Sequence, residues 1–509
     1  MRQRNSITYD LLRLPLFLQM FGLGTASMFV PAGYAAVVDR HDTSQAFFYA
    51  GLLGVIVFVL VGFAHAGRTP RQGALGPLLS LSAAFVFLPA VFAIPFVETL
   101  PTTRFYNGYI EMLSAFTTTG ATLFESPERL GPALHLWRAQ VGWMGGMLMW
   151  VAAVAILAPL NLGGFEITAR AEPGRRETAL YTTRTISPHR RFGRALQVLA
   201  PLYCALTLLL WMLLVFTGQN ALDALVHAMS VIATSGISSG GEAGNGGVVA
   251  EMLMAMFMLF ALSRLTFSSD TMTATQGGLR TDPEFRIGLS IIILVPLILF
   301  GRHFISALDM VSEDTFIGAV QAFWGSLFTV LSFLSTTGFV SEYWSDAQSW
   351  SGLRTPGIIL MGLALVGGGV ATTAGGVKLL RVFALYRNAV REMEQLVHPH
   401  SVSGASAAGK RLQSGGAFIA WIFFMLFAIS LAAVTLLLTL AGVSFEEALV
   451  LSVAMLSSTG PLTEVGGSQP IVLMSLSDTA KAILAGAMVL GRLETLAIIA
   501  LLTPDLWRS

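Results

Sequence analysis

Apolar residues fill several stretches of this chain that are long enough to cross a lipid bilayer as helices. A spanning helix needs about 20 mainly apolar residues. Such runs recur along the whole chain, and the clearest are Gly51–Phe63 with its flanks, Leu196–Phe216, Met252–Leu262 with its flanks, Ile287–Phe300, Ala417–Leu440 and Ala482–Leu502. The pattern predicts a polytopic α-helical membrane protein.

Four short segments interrupt this apolar pattern with hydroxyl residues followed by a glycine. They read LSAFTTTGATLF (Leu113–Phe124), MSVIATSGISSG (Met229–Gly240), LSFLSTTGFVSE (Leu331–Glu342) and VAMLSSTGPLTE (Val453–Glu464). The glycines are Gly120, Gly236, Gly338 and Gly460, the residues before them are Thr119, Ser235, Thr337 and Thr459, and the residues before those are Thr118, Thr234, Thr336 and Ser458. All eight positions ahead of the glycines therefore carry a hydroxyl group.

Each motif lies between two candidate spans, which predicts four consecutive repeats. The span pairs are roughly Leu78–Val97 with Leu136–Ala158, Leu196–Phe216 with Val248–Phe267, Ile287–Phe300 with Gly357–Leu385, and Ala417–Leu440 with Ala480–Leu502. The motif runs are too short to cross the bilayer, so we expect each to enter as a pore helix and return as a loop. Non-helical backbone at that depth is tolerated only where protein buries it or where it lines a water-filled cavity.

Two earlier spans, about Leu12–Ala36 and Phe47–Ala66, bring the prediction to ten spanning helices and four pore helices. The predicted fold class is an all-α polytopic membrane protein with four parallel repeats around a pseudo-fourfold pore. The expected units are residues 1–72 (two N-terminal helices), 73–194, 195–283, 284–411 (the repeat with an intramembrane gate segment) and 412–509.

Basic residues set the expected orientation, because loops rich in Lys and Arg stay on the cytoplasmic side. The loops that follow the first three repeats are rich in basic residues, namely Arg170, Arg175, Arg176, Arg184, Arg190, Arg191, Arg194, Arg280, Arg286, Lys378, Arg381, Arg387, Arg391, Lys410 and Arg411. The loops on the same side as the glycine motifs hold few basic residues, which we count as Arg104, Arg129, Arg138, Arg302, Arg354 and Lys481. The glycine motifs are therefore predicted to open to the outside, all in the same direction.

Composition agrees with a membrane protein and excludes some classes of site. Of 509 residues, 54% are hydrophobic and 12% charged, and the mean hydropathy is +0.70. A soluble protein carries about twice that charged fraction. The single cysteine, Cys204, excludes an intrachain disulfide framework or a cysteine metal cluster.

Four parallel loops around one axis are suited to stripping water from a monovalent cation. Rings of backbone carbonyls replace the hydration shell, and the conformation that points successive carbonyls inward is the one glycine adopts most readily. Small hydroxyl residues let the backbones approach the axis, and their side chains can tie each loop to its pore helix. A single TTG in a membrane helix is more often a packing spot, but four equivalent copies favour a pore.

The segment GGGVATTAGGVK, starting at Gly367, is a candidate gate. It lacks the hydroxyl residue that follows the lysine of a Walker A motif, so we expect no nucleotide to bind this chain. Its glycines disfavour a regular helix, at about 1 kcal/mol each relative to alanine. We expect the helix to break there, with Thr372 and Thr373 lining the break; the glycines are Gly367, Gly368, Gly369, Gly375 and Gly376. Close packing of two helices through these small residues is the alternative.

Arg492 is a second gate candidate because it lies near the middle of the last predicted span. An arginine there costs roughly 2.5–3.5 kcal/mol on insertion scales. Intramembrane charges usually face a pore or a partner, and the alternative is a side chain that extends to the bilayer surface.

In these features the chain resembles the bacterial Trk-type potassium uptake proteins, the membrane subunits of the Trk/Ktr/HKT superfamily. The resemblance covers nearly the whole chain, and its specific motifs are TTTGAT, GWMGGMLMWVAAVAILAPLNLGG, GGGVATTAGGVKLLRV and MVLGRLETLAIIALLTPDLWR. It implies that the four loop glycines form a potassium filter, with K⁺ at the backbone of each glycine and of Thr119, Ser235, Thr337 and Thr459. It also implies that the glycine-rich segment obstructs the pore and that Arg492 points into the pore beneath the filter. The fourth loop, SSTGPLTE, departs from the asparagine-rich approach expected in relatives.

The resemblance also implies a setting: the bacterial inner membrane with the pore loops facing the periplasm, a homodimer, and a cytosolic nucleotide-binding regulatory subunit of the TrkA kind. No enzyme activity and no nucleic-acid partner are expected. Two other functions stay open. One is a secondary transporter that couples potassium to protons or sodium, and the other is a membrane scaffold or receptor, which would leave the glycine loops and Arg492 unexplained.

Overall fold

The structure is a computed structural model that describes residues 14–65, 75–124, 126–158, 188–240, 246–263, 282–306, 315–351, 356–397 and 416–493. Regular secondary structure in these ranges is helical throughout. Much of the basic sequence that sets the predicted orientation, including Arg170–Arg184, Arg280 and Lys410–Arg411, lies outside the described residues.

The helices follow one another in the predicted order. They are α1 (Leu16–Ser27), α2 (Phe29–Val37), α3 (His41–His65), α4 (Leu75–Glu98), α5 (Phe105–Phe116), α6 (Pro132–Ala152), α7 (Pro188–Phe216), α8 (Ala221–Ala233), α9 (Gly247–Met258), α10 (Pro283–Ser306), α11 (Thr315–Leu334), α12 (Trp344–Ser351), α13 (Gly357–Val366), α14 (Leu379–Val397), α15 (Gly416–Leu440), α16 (Phe445–Leu456), α17 (Leu462–Val465) and α18 (Asp478–Leu493). The four motifs follow α5, α8, α11 and α16.

Seven helices in the described part of the chain are long and apolar enough to cross a membrane. They include α1 and α2 as one span, Leu16–Val37, which matches the first predicted span closely. Three predicted spans do not meet that length within the described residues: the one containing α9 shortens to Gly247–Leu262, the one containing α13 ends at Val366, and α18 is described only to Leu493. The chain is a multi-pass membrane protein.

The third pore helix is longer than the others. The helix α11 has 20 residues, whereas α5 and α16 have 12 each and α8 has 13. The helices α5, α11 and α16 end four residues before their motif glycine and α8 ends three residues before it, so the extra length of α11 extends away from the glycine. The ends that carry the motifs are therefore the equivalent parts of the four repeats.

The two N-terminal spans pack against the first repeat. The rings of Phe47 and Trp137 meet edge to face with centroids 5.5 Å apart, and the side-chain amide of Gln140 donates to the carbonyl of Ser27 at 2.8 Å. In the span that contains α6, 89% of the most apolar 18-residue stretch is buried inside the protein, whereas in α3 only 22% of the equivalent stretch is buried. The helix α6 is therefore an internal element beside the motifs, and α3 presents its apolar side chains to the surrounding lipid.

Candidate functional site

Each pore helix ends in the same hydrogen-bonded turn. The amides of Thr119, Ser235, Thr337 and Thr459 bond to the carbonyls five residues earlier, at 2.9, 2.9, 2.9 and 2.8 Å. The residue before each of them takes a left-handed conformation, with φ of 54° at Thr118, 51° at Thr234, 58° at Thr336 and 55° at Ser458. This is the Schellman helix end, in which glycine is the usual left-handed residue. Threonine there is uncommon, so four hydroxyl residues in this conformation mark a specialised site.

Hydroxyl groups tie each loop to the end of its pore helix, as the sequence analysis expected. Thr119 Oγ1 lies 2.9 Å from Thr117 Oγ1, and Thr337 Oγ1 lies 2.9 Å from Ser335 Oγ. In the second and fourth loops the corresponding contacts are Ser235 with Ser230 and Thr459 with Ser457, both at 3.2 Å. The side chain ahead of each glycine is thereby held back against its helix.

The four loops meet one another in a closed ring. A methyl group added to Gly120 would lie 1.8 Å from the carbonyl oxygen of Ser235, and one added to Gly236 would lie 2.3 Å from that of Thr337. One added to Gly338 would lie 2.8 Å from the Pro461 ring. One added to Gly460 would lie 2.1 Å from the amide of Ala121. Loop 1 thus contacts loop 2, loop 2 contacts loop 3, loop 3 contacts loop 4 and loop 4 returns to loop 1, with no room for a side chain at any of the four glycines.

The fourth loop differs from the other three in its backbone. Gly120, Gly236 and Gly338 have φ of 74°, 64° and 86°, whereas Gly460 is not in the left-handed region. Its amide donates to the carbonyl of Thr119 at 2.6 Å, and the chain then turns directly into the short helix α17. The ring of Pro461 approaches both Gly236 and Gly338, which belong to two different loops. The proline that sets this loop apart in the sequence therefore lies where the loops converge.

Glycines of neighbouring spans let the pore helices pack closely. A methyl group on Gly145 of α6 would lie 1.9 Å from the carbonyl oxygen of Phe116, and one on Gly491 of α18 would lie 2.4 Å from that of Leu456. Phe116 and Leu456 each precede their motif glycine by four residues. The same contact therefore recurs in the first and fourth repeats, within two of the four motifs that carried the resemblance.

The glycine-rich segment breaks its helix where predicted. The helix α13 ends at Val366, Gly367 has φ of 72°, and helical structure resumes at Leu379. The amides of Val377 and Lys378 bond to the carbonyls of Leu365 and Val366, both at 2.9 Å, so the segment leaves the helix and folds back beside its end. From residue 367 to 378 every residue except Ala371 is buried.

This segment lies against the ends of three pore helices. The amide of Gly375 donates to Thr336 Oγ1 at 2.7 Å, and the hydroxyl of Thr373 donates to the carbonyl of Ile232 at 3.2 Å. A methyl group on Gly375 would lie 2.0 Å from the carbonyl oxygen of Ser457. The segment is thereby seated on the helix side of the motifs, and it touches the second, third and fourth repeats.

Arg492 reaches the same segment from the fourth repeat. Its guanidinium donates to the carbonyl of Thr373 at 2.7 Å, and the side chain is 4% exposed. The residue is in the last turn of the described part of α18. Arg492 therefore contacts the candidate gate directly and does not extend to the bilayer surface.

Other buried charges near the site were missed by the sequence analysis. Glu284, 1% exposed, accepts a hydrogen bond from the amide of Val370 in the broken segment at 3.0 Å. Arg138, which we counted as a charge of an outer loop, lies inside α6 and pairs with Glu111 at 2.7 Å. Lys481, counted in the same way, is buried at the start of α18 and donates to the carbonyl of Met474 at 3.0 Å. The partners of Glu284 and Arg138 are distant in sequence and that of Lys481 is seven residues before it, and spacing alone gave no signal for these contacts.

The arrangement can bind and pass a small cation. Backbone carbonyls and amides from four loops converge together with the ring of Pro461, and a buried segment with a positive charge beside it lies beneath them. The described residues contain no group of three or more His, Cys, Asp or Glu side chains placed to hold a metal ion. The oxygen atoms that converge here belong to the backbone, which is the usual arrangement for monovalent cations.

Comparison with known proteins finds relatives of one family. The family profile TrkH, described as a cation transport protein, matches residues 97–507. The Trk system potassium uptake protein TrkH of Escherichia coli K12 is 26% identical over 496 residues, covering 96% of this chain and 97% of that protein. Its counterpart in Vibrio parahaemolyticus is 29% identical over 427 residues, covering 82% of this chain and 83% of that protein.

A solved structure shows the same fold. The crystal structure of the potassium transporter TrkH from Vibrio parahaemolyticus superposes with a TM-score of 0.78 at 24% identity, and the match covers 98% of this chain and all of that one. The all-helical membrane fold predicted from the sequence is therefore confirmed, and the family is one of transporters and not of enzymes. The chain belongs to the TrkH family of cation transport proteins.

Proposed function

We propose that this chain is the membrane subunit of a Trk-type potassium uptake system and that potassium crosses it through the four-loop site. The observation that carries the proposal is the closed ring in which each motif glycine packs against the backbone or the proline of the next loop. Potassium would be held by backbone carbonyls of Thr119, Ser235, Thr337, Thr459 and of the four glycines. The relatives named as potassium uptake proteins support the choice of ion.

The broken segment from Gly367 to Gly376 is the gate in this proposal. It is buried against three of the four pore helices, and the hydrogen bonds that hold it there include those from Gly375 to Thr336, from Thr373 to Ile232 and from Arg492 to Thr373. An arginine beneath the carbonyl ring also repels a cation, so Arg492 acts as both a latch and an electrostatic barrier. Opening requires the segment to leave this position.

The proposed setting is the bacterial inner membrane, with the motif loops facing the periplasm. An inside-negative potential favours entry of each monovalent cation by about 2.3 kcal/mol per 100 mV, which is enough to drive accumulation without a nucleotide on this chain. The name of the Trk system in the relatives supports a multi-subunit assembly, and we propose a homodimer bound to a cytosolic nucleotide-binding subunit of the TrkA kind.

Coupled symport of potassium with protons or sodium is the second candidate on the same fold. Channel-like flow and symport are distinguished by measuring the uptake of potassium or rubidium into proteoliposomes that contain the full chain, at a set membrane potential. Flux that follows the potential without a proton or sodium gradient supports the channel-like proposal. Flux that needs such a gradient supports symport. A chain that binds its cytosolic subunit but passes no cation in either condition contradicts both.

A further inference from the structure

The segments that leave the motif glycines towards the outer side are held by acidic side chains. In the first repeat, Glu111 of α5 accepts hydrogen bonds from the amide of Leu123 at 2.8 Å and from the hydroxyl of Thr122 at 3.0 Å. It also pairs with Arg138 at 2.7 Å, and its exposure is 1%. A pore helix, the segment beyond Gly120 and the helix α6 are thereby joined at one carboxylate.

The third repeat has an equivalent contact, but its carboxylate comes from another repeat. Glu251 of α9, fully buried, accepts hydrogen bonds from the hydroxyl of Ser341 and the amide of Glu342, both at 2.9 Å. The indole of Trp324 in α11 donates to it as well, at 2.7 Å. Leu123 and Glu342 stand three and four residues after Gly120 and Gly338, so the two carboxylates hold corresponding points of their loops.

The carboxylates that contact the second and fourth loops are more exposed. Asp223, half-buried, accepts from the hydroxyl of Ser239 at 2.5 Å. Glu446, exposed, accepts from the amide of Ser468 at 3.0 Å. Water competes for an exposed carboxylate, whereas a buried one has no alternative to its protein donors. The strong contacts therefore belong to loops 1 and 3, which face each other across the ring.

We propose that Glu111 and Glu251 are positioning residues for ion selection: they fix the outward segments of the two opposed loops and thereby set the separation of the carbonyls across the ring. Hydrogen bonds to a buried charge are among the strongest in proteins, and each carboxylate receives donors on both of its oxygens. A carbonyl ring distinguishes potassium from sodium by its size and by the field of its dipoles. This inference rests on the proposed filter.

Glutamine is the informative substitution at both positions. It keeps the size of the side chain, but it replaces one acceptor oxygen with an amide group that donates. Because both oxygens of each carboxylate face donors, one hydrogen bond in Glu111→Gln or Glu251→Gln becomes a donor–donor contact and the loop shifts. The control is Asp478→Asn, an exposed carboxylate that pairs with Arg104 at the outer surface.

The test measures the potassium-to-sodium permeability ratio of the full chain in proteoliposomes at a set membrane potential. A role in folding alone changes the amount of active protein and therefore the flux of both ions equally, but not their ratio. We expect the ratio to fall at least severalfold in Glu111→Gln and Glu251→Gln and to stay at the parental value in Asp478→Asn. An unchanged ratio in both glutamine variants overturns the inference.

Two further variants keep the test decisive if a glutamine variant does not fold. Thr122→Val and Ser341→Ala each remove one donor and leave the carboxylate in place, so we expect a smaller fall in the same ratio, and no fall in either variant overturns the inference. Gly120→Ser, measured in parallel, separates this inference from the proposed function. If Gly120→Ser lowers the ratio and the carboxylate variants do not, the filter stands and the positioning role is wrong. If Gly120→Ser leaves the ratio unchanged, the proposed filter itself is wrong.

Discussion

The guanidinium of Arg492 donates a 2.7 Å hydrogen bond to the backbone carbonyl of Thr373, which joins the last described helix to the broken segment beneath the four loops. The two residues are 119 positions apart in the chain. The contact joins a buried positive charge to the broken segment, so it makes Arg492 part of the proposed gate.

Replacing Arg492 tests this latch. A hydrogen bond to a charged group contributes about 1.5–3 kcal/mol, so Arg492→Ala is expected to shift the segment towards the open position and to raise basal potassium flux roughly tenfold. Arg492→Gln keeps a donor but removes the charge, and an intermediate flux in that variant separates the barrier from the latch. A folded Arg492→Ala variant that conducts less than the parent protein would contradict the latch.

Gly375 offers a steric test of the same closed position. The methyl group of Gly375→Ala would lie 2.0 Å from the carbonyl oxygen of Ser457, so the segment cannot seat as it does here. We expect higher basal flux than in the parent chain. The matched control is Gly362→Ala in α13, where no atom lies within 4 Å of the added methyl group, and its flux is expected to be unchanged.

Thr336 connects the filter loop to the gate through its hydroxyl group. Thr336→Val keeps the shape of the side chain but leaves the buried amide of Gly375 without its acceptor, which costs about 1–3 kcal/mol. Basal flux is expected to rise severalfold in Thr336→Val and to stay near the parental level in Thr336→Ser, which retains the hydroxyl. Equal flux in the two variants would show that this hydrogen bond does not hold the gate.

The fold and the location of the site were predictable from the sequence because the bilayer permits few solutions. Long apolar runs become helices, and a short run that ends in Thr-Thr-Gly or its equivalent cannot cross. The sequence analysis aligned the four motifs on their glycines, and in the structure a left-handed residue lies two positions before each of them. The break at Gly367 was predictable for a similar reason, since five glycines within residues 367–376 disfavour a continuous helix.

The contacts that hold the site were not predictable, because they join residues distant in sequence. Arg138 was read as a loop charge, although its partner Glu111 lies in the pore helix before it. Glu251 gave no signal at all, since its donors are 73 to 91 residues further along the chain. The different backbone of Gly460 immediately precedes Pro461, a residue that the sequence analysis did not single out.

The measurement that tests the central claim most directly is the potassium-to-sodium permeability ratio of Gly120→Ser. Gly120 has φ of 74° and its added side chain would lie 1.8 Å from the carbonyl oxygen of Ser235, so the ring of loops must open to admit it. The control is Gly218→Ser, which has φ of 94° but no atom within 4 Å of the added group. The account predicts a clear fall in the ratio for Gly120→Ser and none for Gly218→Ser; an unchanged ratio in a folded, conducting Gly120→Ser protein would contradict it.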